Sequence, residues 1–133
     1  MLSKGFTLLE LIIVVVILGI IASMGMPTYK KAVERVRCAE AIAHLKIIQA
    51  KEQMEKLEIN NYVSCAGTDS CRSLLDLDLP GENWNYSVTD VTVNDFIARA
   101  NRTFGTWGGC EYTINSTNDI VNNTGCYYSE ISP

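Results

Sequence analysis

One stretch near the N-terminus, GFTLLELIIVVVILGIIASMGMP at residues 5–27, is almost wholly apolar yet carries a carboxylate, Glu10. As a helix, residues 6–26 would span about 31 Å at about 1.5 Å per residue, close to the roughly 30 Å thickness of a bilayer's hydrocarbon core. The run is long for a secretory signal peptide, and residues 20–24 make a poor small-x-small cleavage site. We therefore predict a membrane-spanning helix.

Glu10 does not fit a plain membrane anchor, because a carboxylate at the bilayer centre costs roughly 2.5 to 3.5 kcal/mol. Its (i, i+4) neighbours within a helix are Phe6 and Val14, neither of which is basic. An α-amino group is a cation of the right sign at neutral pH, but Met1 lies nine residues upstream. A cut just before Phe6 would bring an amine close to the carboxylate.

The string KGFTLLE at residues 4–10, followed by an apolar run, resembles the class III signal of type IV pilins and type II secretion pseudopilins. The resemblance implies that a prepilin peptidase cuts after Gly5 and N-methylates Phe6. It also implies that Glu10 pairs with the methylated amine of a neighbouring subunit and so helps to set the register of a helical filament. Pro27 and Gly19 fall where many members have a helix kink and a looser helix.

The resemblance also implies the fold, α+β and pilin-like, with one long N-terminal helix and an antiparallel β-sheet head. The expected domains are a removed leader at residues 1–5, a long helix at 6–58 with a transmembrane and filament core at 6–26, and a globular head at 59–133. Helical periodicity resumes after Pro27, which favours a kink over termination.

The implied function is that of a structural subunit of an adhesive or motility filament, with no enzymatic activity and no cofactor. The implied partners are identical subunits, a prepilin peptidase, an inner-membrane platform protein and an assembly ATPase. The precursor is expected in the inner membrane and the assembled filament at the cell surface. Alternatives are a secretion pseudopilin, a minor pilin or, outside the family, a bitopic membrane protein with a small periplasmic binding head.

Charge supplies two further expectations. Lys4 precedes the apolar run and four basic residues follow it closely, so a charge count alone puts the C-terminal side in the cytoplasm, whereas the resemblance implies the opposite orientation. Residues 59–133 carry three Arg against nine Asp or Glu. An acidic head repels phosphate backbones, so no nucleic-acid partner is expected.

The stretch after Pro27 is amphipathic. Two adjoining apolar stripes predict one broad packed face, and the other side reads as a solvated surface that includes Glu52 paired with Lys56. The first stripe consists of Ala39, Ala43, Ile47, Ala50, Met54 and Leu57, and the second of Cys38, Ile42, Leu45 and Ile48.

The rest of the chain changes to a period of two, which predicts strands. The candidates are residues 84–93 with a bulge at Asp90, residues 96–102, residues 110–114 and a short fourth strand at residues 126–128. An antiparallel sheet laid across the helix would bury both apolar faces. Residues 60–83 are expected to form the variable connection between helix and sheet.

Five cysteines leave at least one unpaired in any single-chain scheme. Spacing favours Cys65 with Cys71 across a turn-rich loop and Cys110 with Cys126 across an Asn-rich hairpin. Cys38, on the helix stripe, is then expected to be reduced and buried. The competing scheme links Cys38 to a cysteine of the head.

No catalytic constellation is evident. His44, the only histidine, reads as a packing or surface residue of the helix. Asp76 and Asp78 match part of a calcium loop, but without the remaining oxygen ligands they read as solvated charges, so no metal site is predicted.

Overall fold

The computed structural model describes residues 5–105, 108–117 and 122–126. Its elements are α1 (Leu8–Ile59), α2 (Thr68–Leu75), β1 (Trp84–Thr89), β2 (Ile97–Arg102), β3 (Glu111–Asn115) and β4 (Asn122–Thr124). The predicted α+β class, with a long N-terminal helix and an antiparallel sheet, is confirmed. The chain divides into two compact units, Met1–Val36 and Arg37–Pro133.

The first unit contains the apolar part of α1. The helix begins at Leu8 and continues through Gly19 and Pro27 without a break. No part of its most apolar window is buried, and by length and composition alone it is long enough and apolar enough to cross a membrane. The kink at Pro27 stays a prediction.

The second unit contains a four-stranded antiparallel sheet in the order β1-β2-β3-β4. Alternation along β1 buries Trp84, Tyr86 and Val88 on one face. The neighbouring strand β2 buries small residues, since Ala100 lies in register between Tyr86 and Tyr112 and Ala98 between Val88 and Ile114. Because alanine is small, the middle of the sheet leaves room for side chains of α1.

The helix fills that space with a single narrow stripe. Cys38, Ala41, Leu45 and Ile48 are buried in the same core cluster as the inward-facing sheet residues. The broad packed face predicted from the sequence is wrong, because the first of the two stripes stays exposed along its whole length. The buried positions are three or four residues apart and therefore lie on one side of the helix. The sheet face covers that side only.

A row of polar side chains continues this line towards the end of α1. Gln49 Nε2 donates to the Asn115 carbonyl at 2.7 Å, and Gln53 Nε2 donates to the Ser116 carbonyl at 3.4 Å. Glu52 Oε2 accepts the Val63 N–H at 2.8 Å, and Lys56 Nζ donates to the carbonyls of Asn60 and Val93.

The predicted Glu52 to Lys56 pair is therefore wrong. Both side chains bind main-chain groups of the connecting segments, and the (i, i+4) ion pair in this region joins Lys51 to Glu55 at 3.2 Å. Glu52, assigned from sequence to the solvated surface, has no solvent exposure at all.

Two glutamines of this row allow a matched test of how much the attachment stabilises the unit. We expect Gln49→Leu to lower the free energy of unfolding by about 1 to 2 kcal/mol, because it removes a short hydrogen bond in a buried setting. Gln53→Leu removes a longer bond at an exposed position and should change it by less than about 0.5 kcal/mol. Urea unfolding of the full chain in detergent measures both, and equal losses would contradict the expectation.

The segment between helix and sheet is more regular than predicted. It contains α2, whose C-cap residue Asp76 is in the left-handed conformation at φ 50°. Asp90 is also left-handed, at φ 52°. β1 therefore stops at Thr89, and the predicted continuation through Val91 and Val93 as a bulged strand is wrong, since a left-handed residue breaks the extended ladder.

The remaining strand predictions differ at their edges. β2 and β3 each begin one residue later than predicted. The fourth strand is Asn122–Thr124, which pairs with β3, and Cys126 follows it outside any strand. Residues 127 and 128 of the predicted fourth strand lie outside the described residues.

The predicted disulfides are confirmed as Cys65–Cys71 and Cys110–Cys126, with Cα–Cα distances of 5.0 and 4.6 Å. The second joins the two ends of the β3–β4 hairpin, where Glu111 lies in register with Thr124. Cys38 is buried and belongs to neither disulfide, and its side chain is in hydrogen-bond contact with Tyr112, so the competing Cys38 scheme is wrong.

Candidate functional site

The proposed cleavage point lies in a short segment just before α1. Gly5, Phe6 and Thr7 are exposed and non-helical, so the Gly5–Phe6 peptide bond is open to another protein. Residues 1–4, which complete the predicted leader, lie outside the described residues. A Cβ atom built on Gly5 meets nothing within 4 Å, so packing within the described residues does not require a glycine here.

Thr7 begins the helix as its N-cap. The Glu10 N–H donates to Thr7 Oγ1 at 3.3 Å, and the Leu11 N–H donates to the Thr7 carbonyl at 3.3 Å. Thr7 and Glu10 have the Thr-x-x-Glu spacing of a capping box, a signal in the sequence that our reasoning from sequence missed. A carboxylate in the first turn is also favoured by the helix dipole.

Glu10 thus has a local role in its own helix, which does not neutralise its charge. Glu10 is exposed, and it is in no ion pair among the described residues. Phe6 lies four residues before it in the sequence, in the non-helical segment that precedes α1. A cut after Gly5 would turn the Phe6 nitrogen into an amine near this first turn.

The surface that follows Glu10 is apolar on every side of the helix. Every large apolar side chain from residue 6 to residue 26 is exposed, the least being Val14 at 46%. Such a surface has no stable place in water, since burying one of these side chains contributes roughly 1.5 to 3 kcal/mol. Lipid or other apolar helices must cover it.

The second unit adds a smaller exposed apolar stripe on the side of α1 that faces away from the core. It comprises the stripe first predicted to pack, Ala39, Ala43, Ile47, Ala50, Met54 and Leu57.

The other singled-out residues do not assemble into a reactive site. The His44 ring nitrogen Nδ1 lies 3.3 Å from the Tyr86 hydroxyl, as expected of a packing residue. Asp76 and Asp78 are exposed. Within the described part of the chain, no three side chains of the His, Cys, Asp and Glu types come together to hold a metal ion.

Comparison with known proteins identifies a known sequence motif in the first 26 residues. Residues 1–26 match the family model of the prokaryotic N-terminal methylation motif. The chain is 36% identical over 64 residues to a fimbrial protein of Pseudomonas aeruginosa, covering 48% of this chain and 42% of that protein. It is 36% identical over 62 residues to the type II secretion system core protein G of Pectobacterium carotovorum subsp. carotovorum, covering 47% and 40%.

A longer match reaches into the head. The chain is 28% identical over 106 residues to the type IV wide pilus major component of Thermus thermophilus, covering 78% of this chain and 77% of that protein. The chain otherwise spans less than half the length of the first relatives it matches. No solved structure matches it significantly.

Proposed function

We propose that this chain, which carries the N-terminal methylation motif, is a structural subunit of a type IV pilus-like filament. It is made as a membrane-inserted precursor, cut between Gly5 and Phe6, N-methylated at Phe6 and polymerised through α1. One observation carries the proposal: a motif for N-terminal processing leads directly into a helix whose apolar surface is wholly exposed.

The exposed apolar surface of residues 8–26 needs an apolar environment both in the precursor and in the assembled filament. In the precursor, residues 8–26 lie in lipid, which replaces water around their side chains. A subunit that leaves the bilayer needs an equally apolar environment. Neighbouring copies of the same helix supply it, so the energy lost on leaving lipid is recovered on joining the filament.

Glu10 gives the assembly its register. In apolar surroundings a lone carboxylate is costly, and the methylated amine at Phe6 of a neighbouring subunit offsets its charge. Only one axial offset between two helices brings the two groups together. The N-cap at Thr7 binds the Glu10 main-chain N–H and so stabilises the turn that carries Glu10.

The proposed role is mechanical and adhesive, without catalysis. Its partners are a prepilin peptidase, an inner-membrane platform protein, a cytoplasmic assembly ATPase and identical subunits. The precursor belongs in the inner membrane, with the head in the oxidising compartment where the two disulfides form. The assembled filament belongs at the cell surface.

The mature N-terminus tests the proposal directly. We expect mass spectrometry of the wild-type protein to find N-methylated phenylalanine as the first residue. Retained Met1 would refute processing and favour the bitopic membrane protein.

A variant at the cleavage point identifies the residue that the peptidase reads. Gly5→Leu should abolish cleavage and leave uncut precursor in the membrane. A Cβ at this position meets nothing within 4 Å among the described residues, so the expected effect is on recognition by the peptidase. Gly25→Leu is the matched control, since a Cβ there also meets nothing within 4 Å. An immunoblot for precursor and mature forms reads out both, and cleavage of Gly5→Leu at the normal rate would contradict the assignment.

A type II secretion pseudopilin is the second candidate, favoured by the similarity to a secretion core protein. Deleting the gene separates the two. Loss of surface filaments with normal protein secretion supports the pilus subunit, and loss of secretion with normal filaments supports the pseudopilin.

A further inference from the structure

Glu52 is a buried carboxyl group with one oxygen satisfied and one not. The residue has 0% exposure. Its Oε2 accepts the Val63 N–H at 2.8 Å, which ties the segment after α1 back onto the helix. Its Oε1 is buried and has no hydrogen-bond partner in the described residues. A charged carboxylate normally has donors on both oxygens, and a buried one without them is strongly disfavoured.

The ionisable groups on α1 around Glu52 do not compensate a negative charge. Glu55, one turn further on, is itself negative and pairs with Lys51 at 3.2 Å. Lys56 Nζ donates to the Asn60 and Val93 carbonyls and lies 5.2 Å from the centre of the Tyr62 ring.

Among the described residues, the two segments bound to this end of α1, residues 60–64 and the β1–β2 connection, contain no Lys or Arg. Tyr62 is the titratable residue beside Val63, and the β1–β2 connection supplies only acids. Asp90 pairs with Arg99 at 3.0 Å, and Asp95 accepts hydrogen bonds from Ser116. Burial raises the pKa of Glu52, Glu55 raises it further, and the Val63 hydrogen bond lowers it by less than burial raises it.

We infer that Glu52 is a neutral carboxylic acid in the folded head and that its ionisation at rising pH loosens the segment at residues 60–64 from α1. The inference goes beyond the proposed function and does not depend on polymerisation. It identifies a pH-sensitive attachment inside the subunit.

The direction of the effect follows from linkage. In the unfolded chain Glu52 ionises near its ordinary value of 4.5, and in the folded unit it ionises at a higher pH. The stability that the neutral form contributes is fully present below 4.5. This stability is lost as the pH rises through the pKa of Glu52 in the folded unit. The attachment of residues 60–64 to α1 is therefore stronger in acid and weaker in alkali.

The test measures urea midpoints of the full chain in detergent from pH 4.5 upwards for wild type, Glu52→Gln and Glu58→Gln. The neutral amide imitates the protonated acid, so we expect the wild-type midpoint to fall relative to that of Glu52→Gln as the pH rises. Glu58→Gln, at an exposed position of the same helix, is the matched control and should retain the wild-type fall. A constant difference between wild type and Glu52→Gln at every pH would overturn the inference.

A second measurement needs no variant and therefore survives a Glu52→Gln chain that fails to fold. Carbon NMR of the side-chain carboxyl in the wild-type protein reports its charge directly. We expect the chemical shift of the Glu52 carboxyl to change from that of the acid to that of the carboxylate at a pH above 4.5, the ordinary value for Glu. A change centred at or below that value would overturn the inference.

Discussion

Glu10→Gln is expected to be inserted and cleaved as wild type while the yield of filaments falls about a hundredfold or more. Glutamine keeps the size of the side chain and its ability to serve in a capping box, but it removes the negative charge. The methylated amine of the neighbouring subunit would then be buried without its partner. Breaking a buried ion pair by removing one member costs about 3 to 5 kcal/mol, which is more than a hundredfold in an equilibrium.

The matched control separates charge from helix capping. Thr7→Ala removes the Oγ1 that accepts the Glu10 N–H and keeps the carboxylate. Losing an N-cap costs about 1 kcal/mol, much less than an unpaired buried charge. Thr7→Ala should therefore still assemble.

Electron microscopy of sheared filaments, with immunoblots for precursor and mature subunit, distinguishes the two roles. Normal assembly of Glu10→Gln would refute the intersubunit pairing. Equal loss in both variants would assign Glu10 to capping alone.

Removing residues 6–28 is expected to convert a detergent-requiring, polymerising subunit into a soluble, folded monomer. The deleted segment contains no residue of the hydrophobic core, whose first member is Cys38. Both disulfides lie in the part that remains, and the head therefore keeps its core and its covalent closures. What it loses is the apolar surface, each side chain of which favours burial by roughly 1.5 to 3 kcal/mol.

Analytical ultracentrifugation and circular dichroism measure the outcome. A single monomeric species with helix and strand signals, still protected from protease, is the expected result. Filaments formed without residues 6–28 would show that another surface drives assembly. A full-length Gly25→Leu chain, whose apolar run is intact, serves as the control and should still need detergent.

Features encoded by neighbouring residues could be predicted from the sequence. The apolar run of residues 6–26 can be recognised without knowing what it contacts, because its length and composition alone are those of a helix able to cross a membrane. The processing motif at residues 4–10 is likewise continuous. Strand β1 follows from the alternation of Trp84, Tyr86 and Val88. Both disulfides close short loops, so spacing alone favoured them.

Other features depended on the sheet that α1 meets. Periodicity shows which residues share a side of a helix but not which side faces the core, and two adjoining apolar stripes made the predicted face too broad. Leu45 and Ile48 are buried in the same core cluster as Ala98 and Ala100 of β2, whereas Ile47 on the neighbouring stripe stays exposed.

Glu52 and Gln49 illustrate the same limit for polar residues. On a helix of mixed charge both are typical of a solvated face, yet they bind main-chain groups 11 and 66 residues away in sequence. The segment after α1 and the end of β3 both bring main-chain polar groups next to the helix, and buried groups of this kind need hydrogen-bond partners. Only the folded structure determines which helix side chains are close enough to bind them. Local sequence therefore specified the apolar segment and most of the secondary-structure elements. Long-range packing decided which face of α1 is buried and that the Glu52 carboxyl group is excluded from water.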